Sequence, residues 1–264
     1  MKKHILAMLL IAVLVLPAVF TGCVRVDMAE KSGPLATQTY DNTGFTGVDV
    51  GSALDLEITQ GESYSVTITA GKNIFDHIHV SQSGDILKIS ITGWSFNWWW
   101  GRSTPRVNIT MPVLNYLELS GASSGTVTGF KSGENFSTEI SGASDLDVDM
   151  ETGYFTAKIS GASNIKGRLT AAGSDIEMSG ASDINLTGSG GDIKIDGSGA
   201  SSAALMYYKV DNASVDFSGA SSGSLDIGGK LDVKLSGASH LKYTGNPTMG
   251  EIDISDASDL EHVK

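Results

Sequence analysis

Thr138-Glu139-Ile140-Ser141-Gly142-Ala143-Ser144-Asp145-Leu146-Asp147-Val148-Asp149-Met150 is the stretch that decides the fold. The tetrapeptide at its centre, Ser-Gly-Ala-Ser, recurs along the chain. Copies begin at Ser120, Ser141, Ser160, Ser179, Ser198, Ser218 and Ser236, and an eighth at Ser255 reads Ser-Asp-Ala-Ser. The start-to-start steps are 21, 19, 19, 19, 20, 18 and 19 residues. A fixed period of this length marks a repeat architecture. The flanking apolar residues hold one parity from copy to copy. Ile140, Leu146, Val148 and Met150 are followed by Ala157, Ile159 and Ile165, then by Ile176, Met178, Ile184 and Leu186. Val215, Phe217, Leu225 and Ile227, and then Val233, Leu235, Leu241 and Tyr243, continue the pattern. Alternation of period two is the signature of half-buried strands.

Each unit therefore reads as strand, tetrapeptide, strand and a turn such as Ala171-Ala172-Gly173. A single unit cannot bury its apolar stripe, but stacking like on like does. The expected fold is all-β, a right-handed parallel β-solenoid of about 19-residue coils. Eight coils spaced by about 4.8 Å would make a rod of roughly 38 Å. Glycine in the tetrapeptide permits a bend. Strict parity places Gly and the second Ser inward, whereas a bend at Gly places Ala inward; the sequence leaves both open.

Upstream of the repeat, short alternating runs predict an atypical N-terminal β region over residues 40–119. They are Val48 and Val50, Leu54 to Ile58, Tyr64 to Ile68, Ile78 and Val80 paired with residues 86–91, and Val107 to Met111. Asn73-Ile74-Phe75-Asp76 reads as one helical turn. Interrupting this region is Trp94-Ser95-Phe96-Asn97-Trp98-Trp99-Trp100-Gly101, which holds all four tryptophans. So dense an apolar loop is either a cap on the first coil or a contact for a partner, glycan or membrane. Trp94, Phe96, Trp98, Trp99 and Trp100 are thus the candidate contact residues.

The first residues predict export. Lys2 and Lys3 precede an apolar run from Ile5, too short for a membrane span, that ends in Phe20-Thr21-Gly22-Cys23. This resembles a bacterial lipobox with Phe20 where leucine usually stands. Residues 1–22 read as a lipoprotein signal peptide, Cys23 as the lipidated N-terminus, and residues 23–39 as a tether; residues 40–119 and the repeat of residues 120–264 form one continuous domain. The expected location is the cell envelope, at the outer membrane or cell surface, with the membrane as partner through the lipid. Cys23 is the only cysteine, so no intrachain disulfide forms. The net charge of −12 and pI near 4.7 disfavour a phosphate backbone, so nucleic acid is not an expected partner.

The order of features in this chain resembles the putative auto-transporter adhesin head GIN domain family of bacterial envelope proteins. The features are Gln60-Gly61 after an alternating strand, Leu87-Lys88-Ile89, Val107-Asn108-Ile109-Thr110-Met111-Pro112 before Leu117, and then serial Ser-Gly-Ala-Ser coils. The resemblance runs from about Tyr40 to the C-terminus. It implies an all-β solenoid at the cell surface and transfers no catalytic residues.

No catalytic constellation is legible. His77 and His79 sit two apart with no third ligand of metal-site spacing, so no metal site and no cofactor are expected. Asp145, Asp147 and Asp149 alternate on one strand, and their stacked carboxylates read as solvated groups, with calcium as the alternative. The leading functional expectation is a non-enzymatic, lipid-anchored surface module, adhesin-like or structural, that binds a glycan or envelope protein. The alternative is a polysaccharide-active enzyme on the same scaffold, with Arg102 and Arg106 beside the aromatic loop.

Overall fold

The computed structural model describes residues 34–93 and 104–264. They form a β-solenoid whose coils each contribute two strands, joined on one side by the tetrapeptide and on the other by a more variable turn. One strand column contains β2 (Gly47–Val50), β6 (Ile86–Ile91), β8 (Tyr116–Leu119) and β10 (Phe136–Ile140). It continues through residues 155–159 of β11 (Asp145–Ile159) and residues 173–178 of β12 (Asn164–Met178). β14 (Asp192–Gly197), β16 (Ala213–Phe217), β18 (Lys230–Leu235) and β20 (Thr248–Ile254) complete it. The other column contains β3 (Asp55–Gln60), β7 (Arg106–Met111), β9 (Ser124–Lys131) and the first parts of β11 and β12. β13 (Asp183–Ser189), β15 (Ser202–Val210), β17 (Ser222–Ile227), β19 (His240–Gly245) and β21 (Asp259–His262) follow. Every neighbour within these lists is parallel.

Stacking order departs from chain order at the start. β2 pairs with both β6 and β8, and β3 with both β7 and β9, so the first coil lies between the second and the third. Beyond β6 and β7 the pairing turns antiparallel. β5 (Ile78–Ser83) lines β6, β4 (Ser65–Gly71) lines β7, and β1 (Leu35–Tyr40) lines β4. A 3-10 turn at Lys72–His77 links β4 to β5 where a helical turn is expected. These strands close the N-terminal end of the stack. β1 begins inside the segment read from sequence as a tether, because its residues complete the edge of β4.

The interior follows the parity read from sequence. Leu146, Val148, Ile159, Ile165, Ile176, Ile184 and Leu186 are among the buried residues, as are Val215, Phe217, Leu225, Leu235 and Leu241. Each fully buried side chain of this size contributes about 1.5–3 kcal/mol. Volume is compensated between coils. A Cβ added at Gly197 would lie 2.7 Å from the Phe217 ring, and one at Gly223 would lie 2.6 Å from it. The two glycines thus make the space that the ring fills. Tyr208 is also wholly buried, with its hydroxyl 3.2 Å from Ser174 Oγ. Burial pushes the Tyr208 phenol above its ordinary pKa, and the Ser174 hydrogen bond opposes this.

The tetrapeptide resolves in favour of the second serine. Ser123, Ser144, Ser163, Ser182, Ser201, Ser221 and Ser239 are buried, while Gly and Ala of each copy face outward. Gly142, Gly161, Gly180, Gly199, Gly219 and Gly237 all have φ near +77°. This left-handed backbone turns the glycine out of its inward place, and the same parity resumes at the second serine. The inward hydroxyl then serves two coils. Ser144 Oγ donates to the Ser141 carbonyl at 2.9 Å and accepts the Ser123 N–H at 3.3 Å. Ser123 Oγ does the same with the Ser120 carbonyl and the Leu54 N–H. The Ala N–H of each copy donates to the Gly carbonyl of the copy before, as in Ala181 to Gly161 at 2.8 Å. The corner of the first coil, Gly51-Ser52-Ala53-Leu54, stands in the same column without matching the tetrapeptide. Ser52 holds the glycine place at φ 73°.

Two outcomes follow from this packing. Gly180→Ala places a Cβ 2.5 Å from the Gly161 carbonyl oxygen at φ +76°. It should cost about 2–4 kcal/mol in urea unfolding, whereas Ala181→Ser, one residue further on and exposed, should be near neutral. Because the folded state favours the protonated Tyr208 phenol, its contribution is intact below about pH 10 and is lost as pH rises through the raised folded value. Tyr208→Phe should therefore flatten part of the alkaline fall in unfolding midpoint; an unchanged slope would show that the group is not desolvated.

Candidate functional site

The corner column has one interruption. Val50, Leu119 and Ile89 are aligned, and so are Asp55, Ser124 and Arg106. Between the first set and the second, two of the coils have four residues, at residues 51–54 and 120–123. The β6–β7 coil has the 16 residues 90–105. The tryptophan-rich stretch is therefore an insertion at the tetrapeptide corner. Trp94, Phe96, Trp98, Trp99 and Trp100, with Arg102 and Cys23, lie outside the described residues.

The base of the insertion is fixed on both sides. Ile91 is buried, the Thr92 N–H donates to the His77 carbonyl at 3.0 Å, and Thr92 Oγ1 lies 2.6 Å from His79 Nε2. On the return, the Asp55 N–H donates to the Pro105 carbonyl, and Arg106 Nε is 3.1 Å from Asp55 Oδ2. Ser52, Ala53, Gly121 and Ala122 of the next two corners form a shallow recess against Ile91, Thr92 and Gly93. Small corner residues leave that recess open. His77 ends the 3-10 turn rather than sharing a strand with His79, so the two do not form a strand-face pair.

Outward residues form charged ladders. Asp145, Asp147 and Asp149 of β11 do not face further carboxylates on β12. Asn164 Nδ2 lies 3.5 Å from Asp145, Lys166 Nζ lies 3.8 Å from Asp147, and Arg168 lies 2.9 Å from Asp149. Asp149 raises the Arg168 pKa further through that hydrogen bond. The coil next door supplies the balancing donors, and solvent reaches every pair. On the other column a second ladder stands two residues before each tetrapeptide. It reads Lys88, Asp49, Glu118, Glu139, Lys158, Glu177, Asp196, Asp216, Lys234, Asp253. Lys88 meets Asp49 at 2.5 Å, Lys234 meets Asp216 at 3.4 Å, and Asp196 pairs with Lys194 beside it. The Asp49 hydrogen bond raises the Lys88 pKa. An open groove follows the middle of this ladder, past Ser141, Ser160, Ser179 and Ser198. The sequence carried its signal, a charged residue at the same place in all eight copies.

The inward serines of the repeat are engaged within the stack. Among the described residues the inward hydroxyls bond to corner carbonyls and to N–H groups or hydroxyls of adjacent coils. They hold the stack rather than present a nucleophile. Because Asp149 and Arg168 pair in solvent, Arg168→Ala should leave the urea midpoint close to that of the unsubstituted chain at physiological salt. A loss as large as that of Gly180→Ala would show the ladder to be structural.

The fold has close counterparts among solved structures. A putative adhesin from Parabacteroides merdae superposes with a TM-score of 0.80 at 17% identity, over 89% of this chain and 98% of that one. A putative lipid binding protein from Parabacteroides distasonis gives 0.75 at 14%, over 89% and 98%. A putative adhesin from Bacteroides fragilis gives 0.63 at 18%, over 87% and 97%. At such identities the likeness is one of fold. No curated protein matches the sequence. Residues 44–247, which span the first coil, the insertion and seven of the eight tetrapeptide copies, match one family, and the chain belongs to it: the putative auto-transporter adhesin, head GIN domain family.

Proposed function

We propose that this adhesin-like surface protein is a lipoprotein held to the cell envelope through Cys23, and that it acts by binding rather than by catalysis. The tryptophan-rich insertion is its contact for a surface glycan or envelope protein. One observation carries this reading. The stack keeps four residues at the corners of its repeat, and it departs from that by 12 residues at a single coil, where the sequence concentrates Trp94, Phe96, Trp98, Trp99 and Trp100. Aromatic side chains supply large contact area at low entropic cost, and they stack on sugar rings. The family's adhesin description and the neighbouring adhesin structures support the surface role. The lipobox-like Phe20-Thr21-Gly22-Cys23 supports the anchor.

Two measurements test the parts separately. Replacing the four tryptophans and Phe96 by alanine should abolish retention of the full chain on a glycan array or in an envelope-protein pulldown, with the unfolding midpoint little changed. Equal retention sinks the contact. Cys23→Ala should move the protein from the detergent phase to the aqueous phase on phase partition; continued detergent partition sinks the anchor.

A further inference from the structure

The far end of the stack differs from the first. The inward residues Leu231, Val233 and Leu235 of β18 are buried, but their partners Met249, Ile252 and Ile254 on β20 are about 40% exposed. β21 has one coil neighbour, β19, in register His240 with Asp259 and Lys242 with Glu261. Residues two apart on a strand share a face, and adjacent rungs lie about 4.8 Å apart. His240, Asp259 and Glu261 are therefore brought together on the outer face of this last pair of rungs.

We propose that His240, Asp259 and Glu261 form a binding site for one divalent cation of the zinc class. Each residue offers one ligand atom, and the three atoms lie within 4.8 Å of one another. The imidazole is flanked by both acids, with Nδ1 at 3.2 Å from Asp259 Oδ2 and Nε2 at 3.6 Å from Glu261 Oε2. Zinc holds nitrogen and carboxylate donors at about 2.0–2.2 Å, so donors on a tetrahedral site stand roughly 3.3 Å apart. One ion takes a single ring nitrogen, so binding requires the acid now at the other nitrogen to rotate onto the same side, a movement open to solvent-accessible side chains. One imidazole nitrogen with two carboxylate oxygens suits zinc and its transition-metal neighbours. Calcium and magnesium take oxygen ligands instead. Three protein ligands leave the fourth position to water. Among the described residues this is the only such group of three. The equivalent places in earlier coils hold Asp183, Ser202 and Ser222, which offer no imidazole.

A competitor is built in. Lys242 Nζ lies 3.0 Å from Glu261 Oε2, so its ammonium holds the carboxylate that the ion would take. Binding a cation displaces that ammonium, and removing it should strengthen the site. A salt-bridged clasp alone has no such property. Calorimetric titration of the full chain with zinc chloride at neutral pH decides between the two. The expected result is saturable uptake of one ion, weakened about tenfold or more in His240→Ala and in Glu261→Gln, and tightened in Lys242→Ala. Calcium chloride should give no comparable uptake. Absence of uptake overturns the proposal. So does uptake unaltered by His240→Ala and Glu261→Gln, which would place the ion elsewhere, for example at His77 and His79. Unchanged or weaker affinity in Lys242→Ala would also overturn it.

Discussion

The whole rod depends on the approach of one corner to the next. From the second tetrapeptide on, an Ala N–H meets the Gly carbonyl one coil below at about 2.8 Å, and a buried serine hydroxyl ties both coils to the same turn. Nothing larger than hydrogen fits on the glycine, because the neighbouring carbonyl already occupies the place of a Cβ. The buried hydroxyl is tolerated because it is satisfied on both sides; unpaired, it would cost about 1–3 kcal/mol. Strand register, inward parity and the outward ladders follow from this spacing.

A constraint imposed by four-residue corners on both sides relaxes where a corner has one such neighbour, as at residues 51–54, whose coil borders Ser120–Ser123 on one side and the 16-residue connection 90–105 on the other. In the first coil of the chain Ser52 and Ala53 adopt positive φ without glycine, and Leu54 replaces the buried serine while still using Ser123 Oγ. In the last coil Asp256 takes the glycine place at φ 60°, and its carboxylate accepts the Gly237 N–H at 3.1 Å. The 12 extra residues of the insertion obey the same logic. The β6–β7 coil has a coil neighbour on one side only, since antiparallel β4 and β5 border it on the other.

Much of this was legible in the sequence, for identifiable reasons. Period and parity are local properties, and they gave the coil, the inward face of Leu146 and Val148, and the pairing of Ile78 and Val80 with residues 86–91. What was not legible involves choices between distant partners. Nothing near residues 47–60 states that their coil inserts between two later ones, because parallel pairing is chosen by the fit of whole coils. Gly51-Ser52-Ala53-Leu54 shares only its alanine with the tetrapeptide in register. The direction of the second serine hinged on one dihedral angle. Asp145, Asp147 and Asp149 read as solvated carboxylates from sequence, whereas Arg168 as the partner of Asp149 follows only from the register of β11 against β12.

A solenoid surface repeats its chemistry about every 4.8 Å, which bears on where recognition can reside. Along the middle coils several outward charges pair with a neighbour on the same or the next rung, as with Asp149 and Arg168 or Asp216 and Lys234, while others, such as Glu139, Lys158 and Glu177, line the open groove. A face that repeats from rung to rung gives one position little advantage over the next. Discrimination needs a break in the repeat, and the ends are where the corner constraint permits breaks. At one end the break is an aromatic insertion. At the other it is an imidazole and two carboxylates on a rung with a single neighbour. The same close approach that makes the middle uniform thus leaves the two ends of the stack as the places where the repeat can break.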